Sequence, residues 1–204
     1  MNKLIIIGAS GHGKVVADIA EQNGYKEIFF LDDNENVKEC YGYPVIGKSS
    51  DSVKYSNCDF FIAIGNSFIR EKLYAKIKTI GNITTLIHPR AILAHTVKVG
   101  RGTVIVAGAI INSDTTIGEG CIINTGATIG HDNVIGDFSH ISAGTHLAGA
   151  VNIGHNTWVS VGAVIINNTS VCANCCIGAG AVVVKSIRQP GTYIGIPAKV
   201  KRIR

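Results

Sequence analysis

The sequence predicts a mainly β protein, a parallel β-helix preceded by a small Rossmann-like α/β domain. Three observations carry that expectation. From residue 87 every sixth residue is aliphatic: Ile87, Leu93, Val99, Ile105, Ile111, Ile117, Ile123, Ile129, Ile135, Ile141, Leu147, Ile153, Val159, Ile165, Val171, Ile177 and Val183, seventeen positions without a slip. The composition is 46% hydrophobic but only 6% aromatic, with 24 Gly in 204 residues. Such a core is made of small and branched aliphatics, which suits closely stacked backbone. The first 86 residues alternate strand and helix patterns around a Gly-rich loop, which is βαβ logic.

In chain order, Lys3–Gly8 reads as a buried strand and Gly8-Ala9-Ser10-Gly11-His12-Gly13 as a loop. Lys14–Asn23 has helical periodicity through Val15, Val16, Ile19 and Ala20. Glu27–Leu31 is a second strand ending in Asp32-Asp33. Asp59–Ile64 is a third, followed by Gly65-Asn66 and a helix over 67–79. A domain of residues 1–86 is therefore expected, then a coil domain of 87–204. In the coil each hexad makes one short strand and one turn, and three hexads close a turn of 18 residues. Strands then stack at about 4.8 Å. The run from 87 to about 186 gives five to six coils. Four residues after each aliphatic stands a mostly small residue, as at Thr103, Ala109, Cys121, Ser139 and Cys175. Gly, Asn or Asp often precedes it, as at Gly102, Asp114, Asp132, Gly144 and Asn156, residue types that tolerate positive φ at a corner. Gln189-Pro190-Gly191 ends the pattern, and Tyr193–Lys199 caps or extends it.

The net charge is +5, with Lys199, Lys201, Arg202 and Arg204 supplying much of the excess. Mild basicity fits a polyphosphate ligand and fits equally a solvated basic tail. Nucleic-acid binding is not expected. No cleavage-type leader is visible, and no apolar run approaches the ~20 residues that cross a bilayer. A soluble cytoplasmic protein is expected, and its six Cys are read as thiols.

The loop at 8–13 stands where a nucleotide phosphate would meet backbone N–H groups and a helix N-terminus. Asp32 and Asp33, about 20 residues on, can accept from ribose hydroxyls. Ser10 occupies a position where the dinucleotide fingerprint wants Gly, so a sugar nucleotide fits better than NAD. The alternative is a structural turn beside a surface acidic pair. In Gly130-His131-Asp132-Asn133, a His with an adjacent carboxylate can act as a general base, and a solvated corner His is the competing reading. His95 and His131 share a column, but the left-handed β-helix carbonic anhydrases place a third His where Gly136 stands, so no metal is expected. Cys121 and Cys175 occupy the small-residue position and read as corner fillers rather than metal ligands.

These motifs, with Leu31-Asp32-Asp33, Ala63-Ile64-Gly65-Asn66, Gly130-His131-Asp132 and Gly195-Ile196-Pro197-Ala198-Lys199, give the whole chain a family resemblance. It resembles the bacterial sugar acetyltransferases that include UDP-bacillosamine-pathway N-acetyltransferases, perosamine N-acetyltransferases and the sialic acid O-acetyltransferase group. The resemblance implies a left-handed coil and a homotrimer with sites between neighbouring coils. It implies that the N-terminal domain binds the nucleotide. Ser10, Gly11, His12 and Gly13 match the substrate loop, Asp32 and Asp33 the pair near the nucleoside, and Gly65 and Asn124 further substrate contacts. His131 matches the general base. Asp132 stands where relatives carry a carboxylate, often Glu, that raises the base's proton affinity. His140, Gly149, Val161 and Ala179 match positions lining the acetyl-CoA groove. The implied reaction is acetyl-CoA-dependent N-acetylation of a nucleotide-linked sugar, a UDP-4-amino-4,6-dideoxy sugar first. O-acetylation of a sialic acid and a non-catalytic trimeric scaffold are the competing functions.

Overall fold

In the computed structural model, which describes residues 3–201, the chain divides between Pro89 and Arg90 into two units. Met1, Asn2 and the tail residues Arg202 and Arg204 lie outside the described residues.

The N-terminal unit contains β1 (Lys3–Ile7), α1 (Gly11–Gln22), β2 (Glu27–Leu31), β3 (Glu39–Cys40) and β4 (Tyr43–Pro44). A 3-10 helix (Ser49–Tyr55), β5 (Asp59–Ile62), α2 (Ser67–Ile77) and β6 (Asn82–Ile83) follow. Four strands form a parallel sheet in the order β2-β1-β5-β6. Leu4, Ile5, Ile6, Phe30, Leu31, Phe60 and Phe61 are buried in it, the near-continuous apolar runs that parallel strands require. Val16, Ala17, Ile19 and Ala20 are the buried face of α1. The chain order reverses between β1 and β5, so the segments leaving their C-terminal ends are 8–10 and 63–66, flanking a topological switch point.

Several elements differ from the sequence reading. Helix α1 starts at Gly11, before Lys14, because Ser10 is extended and its carbonyl accepts from Lys14 N at 3.0 Å. His12 and Gly13 therefore sit in the first helical turn rather than in a loop. Strand β5 ends at Ile62, two residues early, and α2 ends at Ile77. The β3–β4 hairpin was not expected; its Tyr41-Gly42 turn has φ of 55° and 79°, the geometry a two-residue hairpin favours.

In the second unit the hexads become two-residue strands that pair in parallel with the strands 18 residues away. One ladder runs Ile105, Ile123, Ile141, Val159, Ile177. A second runs Leu93, Ile111, Ile129, Leu147, Ile165, Val183, and a third Val99, Ile117, Ile135, Ile153, Val171. Every column aliphatic from Ile105 to Val183 is at most 3% exposed. Leu93 and Val99, in the first coil, are half-buried.

Every sixth residue from Gly102 to Gly180 has φ between 54° and 72°. The corners at Asp114, Asp132, Asn156, Asn168 and Asn174 suit that region; Phe138 and Ala150 do not. The Phe138 ring is nearly buried and lies where any side chain on Gly120, one coil earlier, would strike it at 2.5 Å. The small residue after each corner also does more than fit. Thr103 Oγ1 donates to Gly118 O at 2.8 Å and accepts from Cys121 N at 2.9 Å. Ser139 and Thr157 repeat this bridge from coil to coil. Gly191–Ile194 continues the stack on Cys175–Ile177, and Lys199–Val200 folds back antiparallel on it, so the Tyr193–Lys199 stretch extends the coil. Among the described residues no helix is long and apolar enough to cross a membrane.

Candidate active site

At the corner 130–133, left-handed backbone at Asp132 (φ 57°) turns its carboxylate back onto the preceding side chain. Asp132 Oδ2 lies 2.6 Å from His131 Nδ1, and both side chains are exposed. With Nδ1–H donated to the carboxylate, Nε2 keeps the lone pair. That edge of the ring covers Gly149, one coil on: a Cβ there would stand 2.7 Å from both Cε1 and Nε2. The structure thus unites His131, Asp132 and Gly149 at one corner. Such a corner offers a proton acceptor, a carboxylate to stabilise the charged ring, and a bare backbone beside them.

Asn124 and His140 meet elsewhere on the coil, and Val161 and Ala179 stack at another corner. Asn124 Nδ2 lies 3.2 Å from His140 Nε2, and the Asn124 carbonyl oxygen accepts from Thr125 N at 2.8 Å. Val161 and Ala179 are exposed one above the other, with Gly180 N donating to Val161 O at 2.9 Å. The separation follows from the 18-residue period: 149 is 131 plus one coil, whereas 161 is not.

In the N-terminal unit, Asp32 and Asp33 have structural partners. Asp32 Oδ2 accepts from Ala9 N at 2.7 Å, fastening the Gly-rich segment, and its Oδ1 accepts from Asn34 N. Asp33 accepts from Ser49 N and Ser49 Oγ. Ser10 and Gly11 are exposed, and Gly13 is buried against Gly8 O and the Phe30 ring. Gly8 (φ 110°) admits no side chain, because Ile64 and the Ala63 carbonyl lie within 3 Å of where it would be. Gly65 is exposed in the other switch-point segment, and its carbonyl accepts from the buried Arg70 at 2.9 Å, as does that of Ile64 at 2.8 Å. Among the described residues, His12 Nε2 is buried without a hydrogen-bond partner. Burial and the charge of Arg70 lower its pKa to about 4, so the ring is neutral at physiological pH.

The PglD N-terminal domain family matches residues 3–77. A Bacillus subtilis protein, UDP-N-acetylbacillosamine N-acetyltransferase, is 37% identical over 114 residues, 52% of each chain. The chain spans about half or less of the length of the curated relatives it matches. PerB from Caulobacter crescentus, solved in complex with CoA and GDP-perosamine, is 33% identical with a TM-score of 0.94, covering 98% of this chain and 97% of that one. The acetyltransferase domain of PglB from Neisseria gonorrhoeae, solved with acetyl coenzyme A, is 37% identical with a TM-score of 0.94, covering 98% and 99%.

The chain belongs to the left-handed β-helix family of sugar acetyltransferases.

Two residues of this family member escaped the sequence reading. Trp158 stacks on His140, with ring centroids 6.1 Å apart and planes 11° apart, and its indole N–H donates to Ser142 Oγ at 2.8 Å. Its sequence signal was an outward aromatic one coil after a site His. Asn133 is the second, an amide in the otherwise mostly small corner series. Cys172 and Cys175 sulfurs are 3.5 Å apart, and burial together with Cys172 pushes the Cys175 thiol up to about 12. Among the described residues no three His, Cys, Asp or Glu side chains converge as a metal set.

Proposed function

We propose that the protein is an acetyl-CoA-dependent N-acetyltransferase acting on the amino group of a nucleotide-linked sugar, with a UDP-4-amino-4,6-dideoxy sugar as the first candidate. The carrying observation is the His131–Asp132 pair at 2.6 Å with the free Nε2 edge over Gly149. The neutral amine attacks the thioester carbonyl carbon and a C–N bond forms. His131 Nε2 takes the amine proton, and Asp132 stabilises the imidazolium. The Gly149 N–H donates to the oxyanion that develops. Collapse breaks the C–S bond, and the CoA sulfur leaves with the proton that His131 held. In this scheme the amine attacks the thioester directly, and no acetyl-enzyme is needed.

The nucleotide is assigned to the N-terminal unit. The start of α1 offers unpaired N–H groups and positive dipole charge to an anion. The unpartnered His12 nitrogen offers a polar contact there. The relatives are named for sugars carried on UDP in one case and on GDP in another, which supports the substrate class. Because Val161 and Ala179 stand at a different corner from His131, acetyl-CoA reaching both sets is completed by a second copy. We therefore assign a homotrimer, working in the cytoplasm. Light scattering at three times 21.5 kDa is the expected mass.

The test is thiol release from acetyl-CoA against nucleotide-linked 4-amino sugars and free sialic acid, with His131→Ala alongside. Turnover of one UDP-amino sugar, lost in the variant, is expected. Turnover of a GDP-linked sugar alone corrects the nucleotide, and of sialic acid alone converts the assignment to O-acetylation. Silence with nucleotide binding intact favours a scaffold.

A further inference from the structure

The corner carrying His131 differs from the others in how it holds the next coil. At the remaining polar corners the bridging group has one hydrogen. Thr157 Oγ1, for example, lies 3.4 Å from His155 O in its own corner and 3.1 Å from Cys172 O in the next coil, and can serve one at a time. Asn133 is fully buried and its amide has two. Its Nδ2 donates to His131 O at 3.1 Å and to Ala148 O at 2.9 Å together, while its Oδ1 accepts from Val151 N at 3.2 Å. Two carbonyls and one N–H around the side chain leave a single amide orientation. Ala150 N also donates to His131 O at 2.9 Å.

These bonds bracket Gly149. The Ala148–Gly149 peptide is trans, so its C=O and N–H point in opposite directions. With the carbonyl held by the buried Asn133, the Gly149 N–H is turned the other way, and among the described residues it donates to no protein acceptor. A second restraint lies on the same peptide. A Cβ on Gly130 would strike Ala148 C and O at 2.7 Å and Gly149 N at 2.9 Å. In that column the residues are Ala94, Asn112, Gly130, Ala148 and Ile166, so glycine stands only beside His131.

We propose that Asn133 is a positioning residue that fixes the plane of the Ala148–Gly149 peptide, and with it the aim of the Gly149 N–H relative to the His131 ring. The chemical consequence rests on the acetyltransferase reading given above. A donor already aimed at the developing oxyanion needs no reorganisation during the reaction. A hydroxyl at 133 keeps one bridge, as other corners do, and leaves the second carbonyl free to swing.

The experiment compares Asn133→Thr with wild type, His131→Ala and Thr103→Val, the last removing an inter-coil bridge at a corner of an earlier coil. In Asn133→Thr, kcat is expected to fall about 10- to 100-fold with both KM values within about twofold. Thr103→Val is expected to lower Tm at least as much with kcat intact. A crystal structure of Asn133→Thr is expected to show the Ala148–Gly149 peptide rotated. Wild-type kcat in Asn133→Thr, or an equal kcat loss in Thr103→Val, overturns the proposal, as does an unmoved peptide. If wild type transfers no acetyl group the acetyltransferase reading falls, and if His131→Ala keeps the wild-type kcat the assignment of the base falls; in either case the peptide plane alone still decides the role of Asn133.

Discussion

His12 and His131 stand in opposite surroundings, one ring buried beside a helix N-terminus and the other exposed at a coil corner. His12 lies in the first turn of a helix, with a buried nitrogen that has no hydrogen-bond partner among the described residues and a buried arginine whose charge opposes protonation. His131 is exposed at a corner, with a carboxylate at 2.6 Å on one nitrogen and the other left open. The first ring is kept neutral by its environment; the second has a carboxylate against one ring nitrogen. A ring that resists protonation is a poor proton acceptor and a good neutral contact for a ligand. The lesson is that neighbours, not residue type, set what two histidines of one chain can do, and under the proposed function they divide its labour.

The comparison breaks first at the corner. His131→Ala is expected to cost about 10²- to 10⁴-fold in kcat, whereas His12→Ala should raise KM for the nucleotide sugar and leave kcat nearly unchanged. Steady-state kinetics of both decide it; equal kcat losses would erase the division. Next, Gly149→Ala puts a methyl where the His131 ring lies. The exposed ring moves rather than the coil, so kcat should fall about 10²-fold, as for a reacting group misplaced by an ångström, with Tm almost unaltered. Asp132→Asn keeps a residue that tolerates positive φ and removes the charge, and a loss of about tenfold in kcat is expected, in keeping with a modest share of acid–base catalysis. The buried ring is read out by acid. Folded, His12 titrates at about 4, and its ordinary value is 6.5. Between those values the unfolded chain binds the extra proton, so this contribution is complete above pH 6.5 and lost as pH falls through that window. Denaturant titrations should show about 3 kcal/mol less stability by pH 4, and His12→Gln should remove that slope. The smallest effect is at Cys175. Cys175→Ser should leave kcat within about twofold and stability within about 1 kcal/mol, the scale of one exchanged hydrogen bond. A collapse of kcat there would replace direct attack by an acetyl-cysteine.

The coil was legible because its core repeats at a fixed offset: one aliphatic every six residues reports both the strand and the side that faces in. The corner glycines, asparagines and aspartates were legible for the same reason. Phe138 and Ala150 were not, since their backbone is set by packing one coil away rather than by their own preference. The His131–Asp132 contact could be read because the two are neighbours in sequence. The bonds of Asn133 could not, for they join residues 15 and 18 apart through an amide that composition treats as an ordinary polar residue. Asp32 and Asp33 were seen as ligand groups, but their bonds to Ala9 and Ser49 depend on loop paths that no periodicity announces. The early start of α1 was hidden by glycines, which read as loop wherever they occur.

The corner bridges at 15 and 18 residues also govern how such a chain can change in length. Losing one residue within the coil would turn every later aliphatic outward and every later charge inward. Losing six would restore the inward face but carry each following corner to the next edge of the prism, separating the His131 ring from Gly149, which it covers. Only whole turns of 18 leave all three ladders and all bridges in register. Natural or engineered variants of this coil are therefore expected to lengthen or shorten by complete turns, with the His131 corner carried along unchanged.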